Sequence, residues 1–362
     1  MNKTFIALLY GGRSGEHEVS LRSAASVLKH LKKDLYHIYL IGISKSGIWF
    51  RQEFPGEIGE TLIIKEDPTQ AVSVLPGQGL YCLEEKIPAE VVFPVLHGTF
   101  GEDGTIQGLL EIADLPYLGA TVGGSYLGMD KDVAKIIWEH HNLPVVPFKT
   151  LRKQETEHPD FSWDTLRQEM VQSFGLPIFV KPSQSGSSVG VSRVDREEQF
   201  QSAAEEALRF DNKILIEPGV DAREVECSVI GNTDPLSFPP GELSPSHDFY
   251  DYEAKYIDPD GAALIIPAKL SAEKAKNVRD IAEKAYKALE CRGMARVDFF
   301  LDKSNENVYL NEINTIPGFT SISMFALMCE AGGLCYSDLL DKLVFYAFEE
   351  YENHRELCFS LN

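Results

Sequence analysis

Along the first third of the chain, continuous apolar runs alternate with a segment whose apolar residues recur at helical spacing. Residues 5–10, 36–43 and 91–96 are almost entirely apolar, as in strands that are buried on both faces. Between the first two runs, apolar side chains recur at Leu21, Ala24, Ala25, Leu28 and Leu31, which predicts a helix from Glu16 to about Leu31. Strands, glycine-rich turns and helices in this order predict a doubly wound α/β domain over residues 1–120.

The remaining two thirds mix strands and helices without a repeat. We predict helices over 131–141, 196–210, after the N-cap Ser271 and at the C-terminus, and strands over 176–181, 213–217, 224–230, 294–301 and 308–314. Residues 50–88 and 153–165 have no clear period and are predicted to be loops. The stretch 239–267 is a long irregular segment, and such segments are usually functional or disordered.

Composition narrows the classes of protein that this chain can be. The 362 residues carry 34 Lys and Arg against 55 Asp and Glu, a formal net charge of −21. Such a charge excludes non-specific binding to nucleic acid and disfavours an anionic membrane surface. The six cysteines form no CxxC pair, and no apolar run approaches the roughly 18 residues that span a bilayer. We therefore expect a cytoplasmic protein with free thiols.

The strongest chemical signal lies on the two strands 294–301 and 308–314. The short polar turn between them predicts an antiparallel hairpin. A single register places Arg296 opposite Asn314 and Asp298 opposite Glu312, so that all four polar side chains share one face. Two carboxylates and an amide oxygen are ligands suited to Mg²⁺. The alternative is a solvated sheet face with a surface salt bridge.

Three other segments could carry chemistry. The Ser/Gly loop 181–190 follows a strand and could fold over phosphates, although it could also be an ordinary turn. The segment 249–256, with three tyrosines and a lysine, could be a lid over a substrate or a loop held by packed aromatics. The turn after the first strand could bind an anion, or Glu16 could bind a cationic amine. His97 follows a strand end, where such folds place ligands, although a lone histidine is more often structural than functional.

Taken in order, these segments resemble the D-alanine–D-alanine ligases, a family of the ATP-grasp superfamily. The motifs that carry the resemblance are GGRSGEHEVS, LHGTFGEDGTIQG, MDK, KPSQSGSSVG, FYDYEAKY, RVDFF and NEINTIPGFTSIS. The resemblance implies a three-subdomain α/β architecture: residues 1–120 on the substrate side, 121–217 as the central ATP-grasp domain, and 218–362 as the C-terminal domain with the metal and oxyanion site. It also implies ATP and Mg²⁺, with Mn²⁺ as a possible substitute, as cofactors.

The family's substrate-contacting residues have counterparts at the positions of this chain that match its motifs. Glu16 resembles the carboxylate that holds the ammonium of the first D-alanine, and Ser187 and Tyr256 resemble its partners in a hydrogen-bonded triad. His97 lies where the family contacts the first substrate. Ser323 resembles a contact to the carboxylate of the second D-alanine.

The family's nucleotide and metal contacts transfer in the same way. Arg296 and the backbone N–H of Gly318 resemble the pair that stabilises an oxyanion. The lysines that resemble phosphate contacts are Lys131, Lys181 and, for the γ-phosphate, Lys255. Glu217 would meet the adenine amino group and Glu224 the ribose hydroxyls, and the residues that match the Mg²⁺ ligands are Asp298, Glu312 and Asn314.

The resemblance therefore implies an enzyme that joins two D-alanine molecules through a D-alanyl phosphate, for peptidoglycan precursor synthesis. It also implies a homodimer. Tyr256 resembles the dipeptide-forming branch rather than the relatives that accept D-lactate. A D-alanine–D-lactate ligase, another ATP-grasp carboxylate–amine ligase and a non-catalytic nucleotide-binding protein remain alternatives.

Overall fold

The computed structural model of the protein describes residues 3–245 and 262–358, which form four β-sheets with helices packed against them. The strands are β1 (Thr4–Gly11), β2 (Tyr36–Ile43), β3 (Trp49–Gln52), β4 (Val72–Leu75), β5 (Gly79–Cys82), β6 (Glu85–Ile87), β7 (Val91–Val95), β8 (Lys149–Arg152), β9 (Ile178–Pro182), β10 (Ser192–Val194), β11 (Lys213–Pro218), β12 (Ala222–Ile230), β13 (Leu236–Ser237), β14 (Gly241–Pro245), β15 (Ala262–Ile265), β16 (Met294–Asp302) and β17 (Val308–Asn314). The α-helices are α1 (His17–His30), α2 (Thr105–Ile112), α3 (Val122–Met129), α4 (Lys131–His140), α5 (Lys153–Thr156), α6 (Trp163–Phe174), α7 (Phe200–Ala207), α8 (Ala272–Ala288), α9 (Met324–Ala331) and α10 (Tyr336–Arg355).

The N-terminal sheet confirms the predicted doubly wound arrangement. Its strand order is β3-β2-β1-β7, and β1 pairs in parallel with both β2 and β7. The chain therefore reverses its winding between β1 and β7, and the loops after these two strands meet at one edge of the sheet. Glu16 and His97 lie in those two loops.

Two segments predicted to be loops are more ordered than expected. Residues 50–88 contain the end of β3 and a small antiparallel sheet, β4-β5-β6. Residues 153–165 contain α5 and the start of α6, so the prediction of a surface loop there is wrong. Local caps explain the helices: Glu155 accepts a hydrogen bond from the backbone N–H of Arg152, and Ser162 accepts one from that of Thr165. Polar residues without a hydrophobic period still form a helix turn when such caps satisfy its free N–H groups.

The central sheet is antiparallel, with the order β10-β9-β11-β8. Ile214 and Ile216 of β11 pack in the core beneath α6 and α7. Alternation along the strand turns Lys213 and Glu217 to the opposite face, where both are nevertheless buried. The helix predicted over 196–210 is shorter: a 3₁₀ turn at Glu197–Gln199 leads into α7.

The C-terminal sheet has the order β15-β14-β12-β16-β17, with β13 paired to β12. Its hairpin β16–β17 has the predicted register, because Arg296 lies opposite Asn314 and Asp298 opposite Glu312. Beyond Asp298 the register shifts, and Phe299 pairs with Leu310. Asn311 is thus an extra residue in β17, a bulge that a uniform register does not predict.

The long segment 239–267 is partly strand. β14 and β15 pair antiparallel at its two ends, and residues 246–261 lie outside the described part of the chain. After it, Ser271 caps α8 as predicted, since its hydroxyl accepts a hydrogen bond of 3.2 Å from the backbone N–H of Lys274. None of the described helices is long and apolar enough to cross a membrane.

Candidate active site

The candidate site centres on one face of the C-terminal sheet. Pairing in register puts Arg296, Asp298, Glu312 and Asn314 on the same face of β16 and β17. β12 continues this face on the other side of β16, because Glu226 lies directly opposite Asp298. Glu226 is not among the residues predicted from the sequence, although its alternation with Glu224 and Ser228 along a strand is a usable signal.

Arg296 lies at the middle of this face and joins its carboxylates. Its guanidinium donates two hydrogen bonds of 2.7 Å to the two oxygens of Asp298 and lies 3.0 Å from Oε2 of Glu226. Burial alone would lower the pKa of Arg296, but Asp298 and Glu226 raise it well above its usual value. The guanidinium is therefore a fixed positive charge at the site.

The donor set on the hairpin fits a hard divalent cation. Asp298 and Glu312 supply carboxylate oxygens, and Asn314 donates its Nδ2 to Asp298 at 3.0 Å, which leaves the amide oxygen as an acceptor. Within residues 3–245 and 262–358, no group of three or more His, Cys, Asp or Glu side chains could hold a metal. A site here accordingly needs the oxygen of Asn314 as the third ligand, as the sequence predicts.

Lys131 connects this face to the Ser/Gly loop. Its Nζ lies 3.0 Å from Oε2 of Glu312 and donates a hydrogen bond of 2.9 Å to the carbonyl of Ser185. Lys131 opens α4, whose N-cap is Asp130. Lys131 therefore contacts both the Ser/Gly loop and Glu312 of the candidate cation site. This position suits a lysine that binds a phosphate group.

The same loop reaches the N-terminal part of the chain. Ser187, which has a positive φ of 52°, donates its hydroxyl hydrogen to Oε1 of Glu16. Gly98 lies against the other oxygen, and a Cβ at this position would be 2.5 Å from Oε2 of Glu16. The fold thus brings together two of the three predicted triad members, while Tyr256 lies outside the described residues, as does Lys255.

His97 is held by the protein through both ring nitrogens. Nδ1 lies 3.0 Å from the carbonyl of Ile316, and Nε2 lies 3.0 Å from Oγ of Ser23, which also accepts a hydrogen bond from the backbone N–H of Phe319. Since a carbonyl only accepts, Nδ1 is the protonated nitrogen. Burial lowers the pKa of His97, in agreement with a neutral ring. The observed role of His97 is to fix the loop after β17, and its contact with substrate stays a prediction.

Glu102 forms hydrogen bonds with the same loop, and it was not predicted from the sequence. One of its oxygens accepts a hydrogen bond of 2.8 Å from the N–H of Gly98, and the other accepts one of 3.1 Å from the N–H of Ile316. Burial and the nearby charge of Glu16 raise the pKa of Glu102 to about 8. A single glutamate in a polar loop has no sequence pattern that could have revealed this bridge.

Gly318 and Ser323 lie in or next to the loop that His97 and Glu102 hold. Ser323 precedes α9, and its Oγ is close enough to Gly318 that a Cβ there would be 2.9 Å away. Oγ of Ser323 also accepts a hydrogen bond of 3.0 Å from the backbone N–H of Thr320. The two predicted contacts are therefore neighbours, beyond the end of the strand that carries Glu312 and Asn314.

The predicted nucleotide residues Lys181 and Glu217 form a buried ion cluster. Lys181 lies 2.9 Å from Oε2 of Glu217 and 3.3 Å from Oδ1 of the bulged residue Asn311. The other oxygen of Glu217 pairs with Lys135 at 2.5 Å. Lys135 was not among the predicted residues. Glu224 lies on β12, opposite Phe300 of β16, two residues along the same face from Glu226.

A second buried cluster of charged side chains contacts the start of the Ser/Gly loop. Lys213 contacts both oxygens of Asp130 at 2.7 Å and Oδ2 of Asp132 at 3.0 Å. Asp130 also accepts hydrogen bonds from Ser183 and Gln184, the first polar residues of the loop. Charge in this cluster therefore fixes the loop relative to α4.

We expect Lys213→Met to destabilise the protein strongly. The substitution leaves Asp130 buried without its cation and Asp132 with only the more distant Arg152 at 3.7 Å, which should cost about 3–5 kcal/mol of unfolding free energy. Thermal or urea unfolding measures the loss. Lys276→Met is the matched control, because Lys276 pairs with Asp280 on the exposed face of α8 and should contribute at most about 1 kcal/mol. Equal stability of the two variants would contradict a structural role for the buried cluster.

Comparison with known proteins gives the family. The family models described as D-ala D-ala ligase N-terminus and D-ala D-ala ligase C-terminus match residues 5–120 and 137–345. A D-alanine–D-alanine ligase from Treponema denticola is 46% identical over 362 residues, which covers 97% of this chain and 98% of the relative. One from Thermoanaerobacter sp. is 46% identical and covers 99% of both chains.

Solved structures agree with the sequence comparison. The D-alanine–D-alanine ligase from Coxiella burnetii superposes with a TM-score of 0.85 at 35% identity, covering 98% of this chain and 97% of that one. A D-Ala:D-Ser ligase from Enterococcus faecalis superposes with a TM-score of 0.82 at 32% identity, covering 96% and 100%. The ordered motifs, the ATP-grasp fold and these matches together show that the chain belongs to the D-alanine–D-alanine ligase family of enzymes.

Proposed function

We propose that this protein uses ATP to join two D-alanine molecules into D-alanyl-D-alanine, for the synthesis of peptidoglycan precursors. The observation that carries the proposal is the shared face of Arg296, Asp298, Glu312 and Asn314. Lys131 links that face to the Ser/Gly loop, whose Ser187 meets Glu16. This arrangement brings together the face proposed to bind the cation, the loop proposed to bind phosphate and the carboxylate proposed to bind the ammonium group.

The first step activates a carboxylate, which is a poor electrophile until one of its oxygens becomes a good leaving group. In our proposal, Glu16 holds the ammonium of the first D-alanine, and Ser187 orients Glu16. The carboxylate of this D-alanine attacks the γ-phosphorus of ATP, the bond to ADP breaks, and D-alanyl phosphate forms. Lys131 and Lys181 hold phosphate groups during the transfer, and Lys255 is proposed for the γ-phosphate.

The second step forms the peptide bond. The amine of the second D-alanine attacks the acyl carbon, a proton leaves the nitrogen, and inorganic phosphate departs from the tetrahedral intermediate. Arg296 and the N–H of Gly318 are proposed to stabilise the oxyanion, because aimed donors lower the energy of a charge that develops in the transition state. Ser323 is proposed to bind the carboxylate of the second D-alanine.

Asp298, Glu312 and Asn314 are proposed to hold the divalent cation, Mg²⁺ or Mn²⁺. When bound, the cation neutralises charge on the transferring phosphoryl group. Binding requires Arg296 to share Asp298, since the guanidinium occupies both oxygens of that carboxylate.

For the nucleoside, Glu217 is proposed to contact the adenine amino group and Glu224 the ribose. Tyr256 is proposed to complete the triad with Glu16 and Ser187. We also propose the division into residues 1–120, 121–217 and 218–362, which the separate N-terminal, central and C-terminal sheets support except at Pro218, the last residue of β11. A homodimer in the cytoplasm is proposed as well. Four of the six cysteines are buried free thiols, which suits a reducing compartment.

Product identification tests the proposed function. The purified protein is supplied with ATP, Mg²⁺ and an equimolar mixture of D-alanine, D-serine and D-lactate, and the products are resolved by mass spectrometry across pH 6–9. We expect D-alanyl-D-alanine and one phosphate per dipeptide. D-serine is included because a solved relative of the same fold is a D-Ala:D-Ser ligase. If the dominant product is instead a depsipeptide or D-alanyl-D-serine, the second substrate is D-lactate or D-serine rather than D-alanine.

A further inference from the structure

Lys135 is a lysine with no exposed surface, and the proposed chemistry does not use it. It lies on α4, one turn after Lys131, and its side chain has 0% exposure. Nζ lies 2.5 Å from Oε1 of Glu217, donates a hydrogen bond of 3.2 Å to the carbonyl of Val146 and lies 5.3 Å from the centre of the Phe148 ring. A buried lysine is costly unless it is paired, and here the pairing is directed at a single carboxylate.

Glu217 is thereby held between two cations. Each of its oxygens faces one ammonium group, Lys135 on one side and Lys181 on the other. Burial alone would raise the pKa of Glu217, but the two lysines lower it below its usual value. Each carboxylate oxygen can accept two hydrogen bonds, so each keeps a further acceptor position. Glu217 is therefore an ionised group that can accept from a ligand but cannot donate to it.

We infer that Lys135 is a positioning residue that determines nucleotide specificity: by holding Glu217 as a fixed, ionised acceptor, it makes the site select a base with an amino group at this edge over a base with an oxo group. This inference rests on the proposed contact between Glu217 and adenine. A carboxylate attracts the 6-amino group of adenine and repels the 6-oxo group of hypoxanthine. A site built to bond a donor rejects an analogue that lacks it, because its own buried polar group is left unpaired.

Binding of ADP and IDP tests the inference without requiring turnover. The two ligands differ at position 6 of the base, where IDP carries oxo instead of amino, with a proton on N1. Calorimetric titration of the full-length protein with each nucleotide and Mg²⁺ should show at least about a tenfold preference for ADP. In Lys135→Met, Glu217 loses one cation, takes up a proton more readily and becomes able to donate, so we expect the preference to fall to within about threefold.

Lys213→Met is the matched control for this experiment. It also removes a buried lysine from the central sheet, and Lys213 lies on the same face of β11 as Glu217, four residues away. Its partners are Asp130 and Asp132 rather than Glu217. This variant should weaken ADP and IDP equally and keep the wild-type ratio, which separates selectivity from general loosening of the domain.

The outcomes distinguish the inference from the proposed function. A Lys135→Met protein that keeps the wild-type ratio, or a wild-type protein that binds ADP and IDP equally, overturns the inference while ATP use stands. A wild-type protein that binds neither nucleotide contradicts the proposed function itself, and the inference with it. If Lys135→Met does not fold, Glu217→Gln replaces it: a neutral amide can turn its NH₂ to the oxo group, and an unchanged ratio in that variant rejects the inference equally.

Discussion

Glu312→Gln should reduce kcat by at least about a hundredfold while the protein remains folded. The side chain is a proposed cation ligand, and its Oε2 also pairs with Lys131 at 3.0 Å. The amide keeps the shape of the carboxylate but loses its charge, so the proposed cation and Lys131, a proposed phosphate contact, both lose a partner in the transition state. Steady-state kinetics over a range of Mg²⁺ concentrations, together with thermal unfolding, measure the two effects.

Glu306→Gln is the matched control for this prediction. Glu306 lies in the exposed turn of the same hairpin, and the substitution changes charge and shape by the same amount. We expect wild-type kinetics from this variant at every Mg²⁺ concentration. A Glu312→Gln enzyme with near-wild-type kcat at saturating Mg²⁺ would remove Glu312 from the proposed cation site.

Arg296→Lys should lower kcat by about 10²- to 10³-fold, with the larger effect on turnover rather than on nucleotide affinity. Lysine keeps the positive charge but cannot form the planar fork that now holds both oxygens of Asp298 at 2.7 Å. The proposed oxyanion donor and the orientation of a proposed cation ligand are lost together. Pre-steady-state measurement of phosphate release separates the chemical steps from nucleotide binding.

Arg223→Lys controls for the loss of a forked ion pair in the same sheet. Arg223 donates hydrogen bonds of 2.7 Å and 2.6 Å to the two oxygens of Glu242. Its replacement should lower stability by an amount similar to that of Arg296→Lys but leave kcat within about twofold of the wild type. If both substitutions slow the enzyme equally, the effect of Arg296 is structural and its proposed contact with the oxyanion is rejected.

The hairpin shows both how far local pattern predicts a site and where it stops. Alternation along two strands with a short turn fixes which residues oppose each other, and the pairs Arg296–Asn314 and Asp298–Glu312 are confirmed. The same pattern does not predict the bulge at Asn311, which places this side chain 3.3 Å from Lys181. An extra residue in one strand depends on what packs on both sides of the sheet, and the spacing of polar residues does not record that.

The supporting residues were missed for a related reason. Lys135 and Glu102 are single charged residues with no local pattern, and their partners Glu217 and Ile316 lie 82 and 214 positions away. Glu226 does alternate with Glu224 and Ser228 along its strand, but its partner Arg296 lies 70 positions away. Charged residues of this kind are ordinarily assigned to the surface, because burial of an unpaired charge is costly. Only the folded chain brings the compensating charge or N–H group to them.

The sequence by itself determined the alternation of most strands and helices, the pairing of Arg296 with Asn314 and of Asp298 with Glu312 and, through its ordered motifs, the family. These properties are local, because a two-residue or 3.6-residue period and a fixed motif need no knowledge of distant contacts. The contact of Ser187 with Glu16 was already implied by the resemblance. Tertiary structure decided which other remote polar groups pair: that Glu217 lies between two lysines, and that His97 and Glu102 hold the loop of Gly318. The physical reason is that a buried charge is stable only beside its partner, and packing of separate sheets supplies that partner from remote parts of the chain.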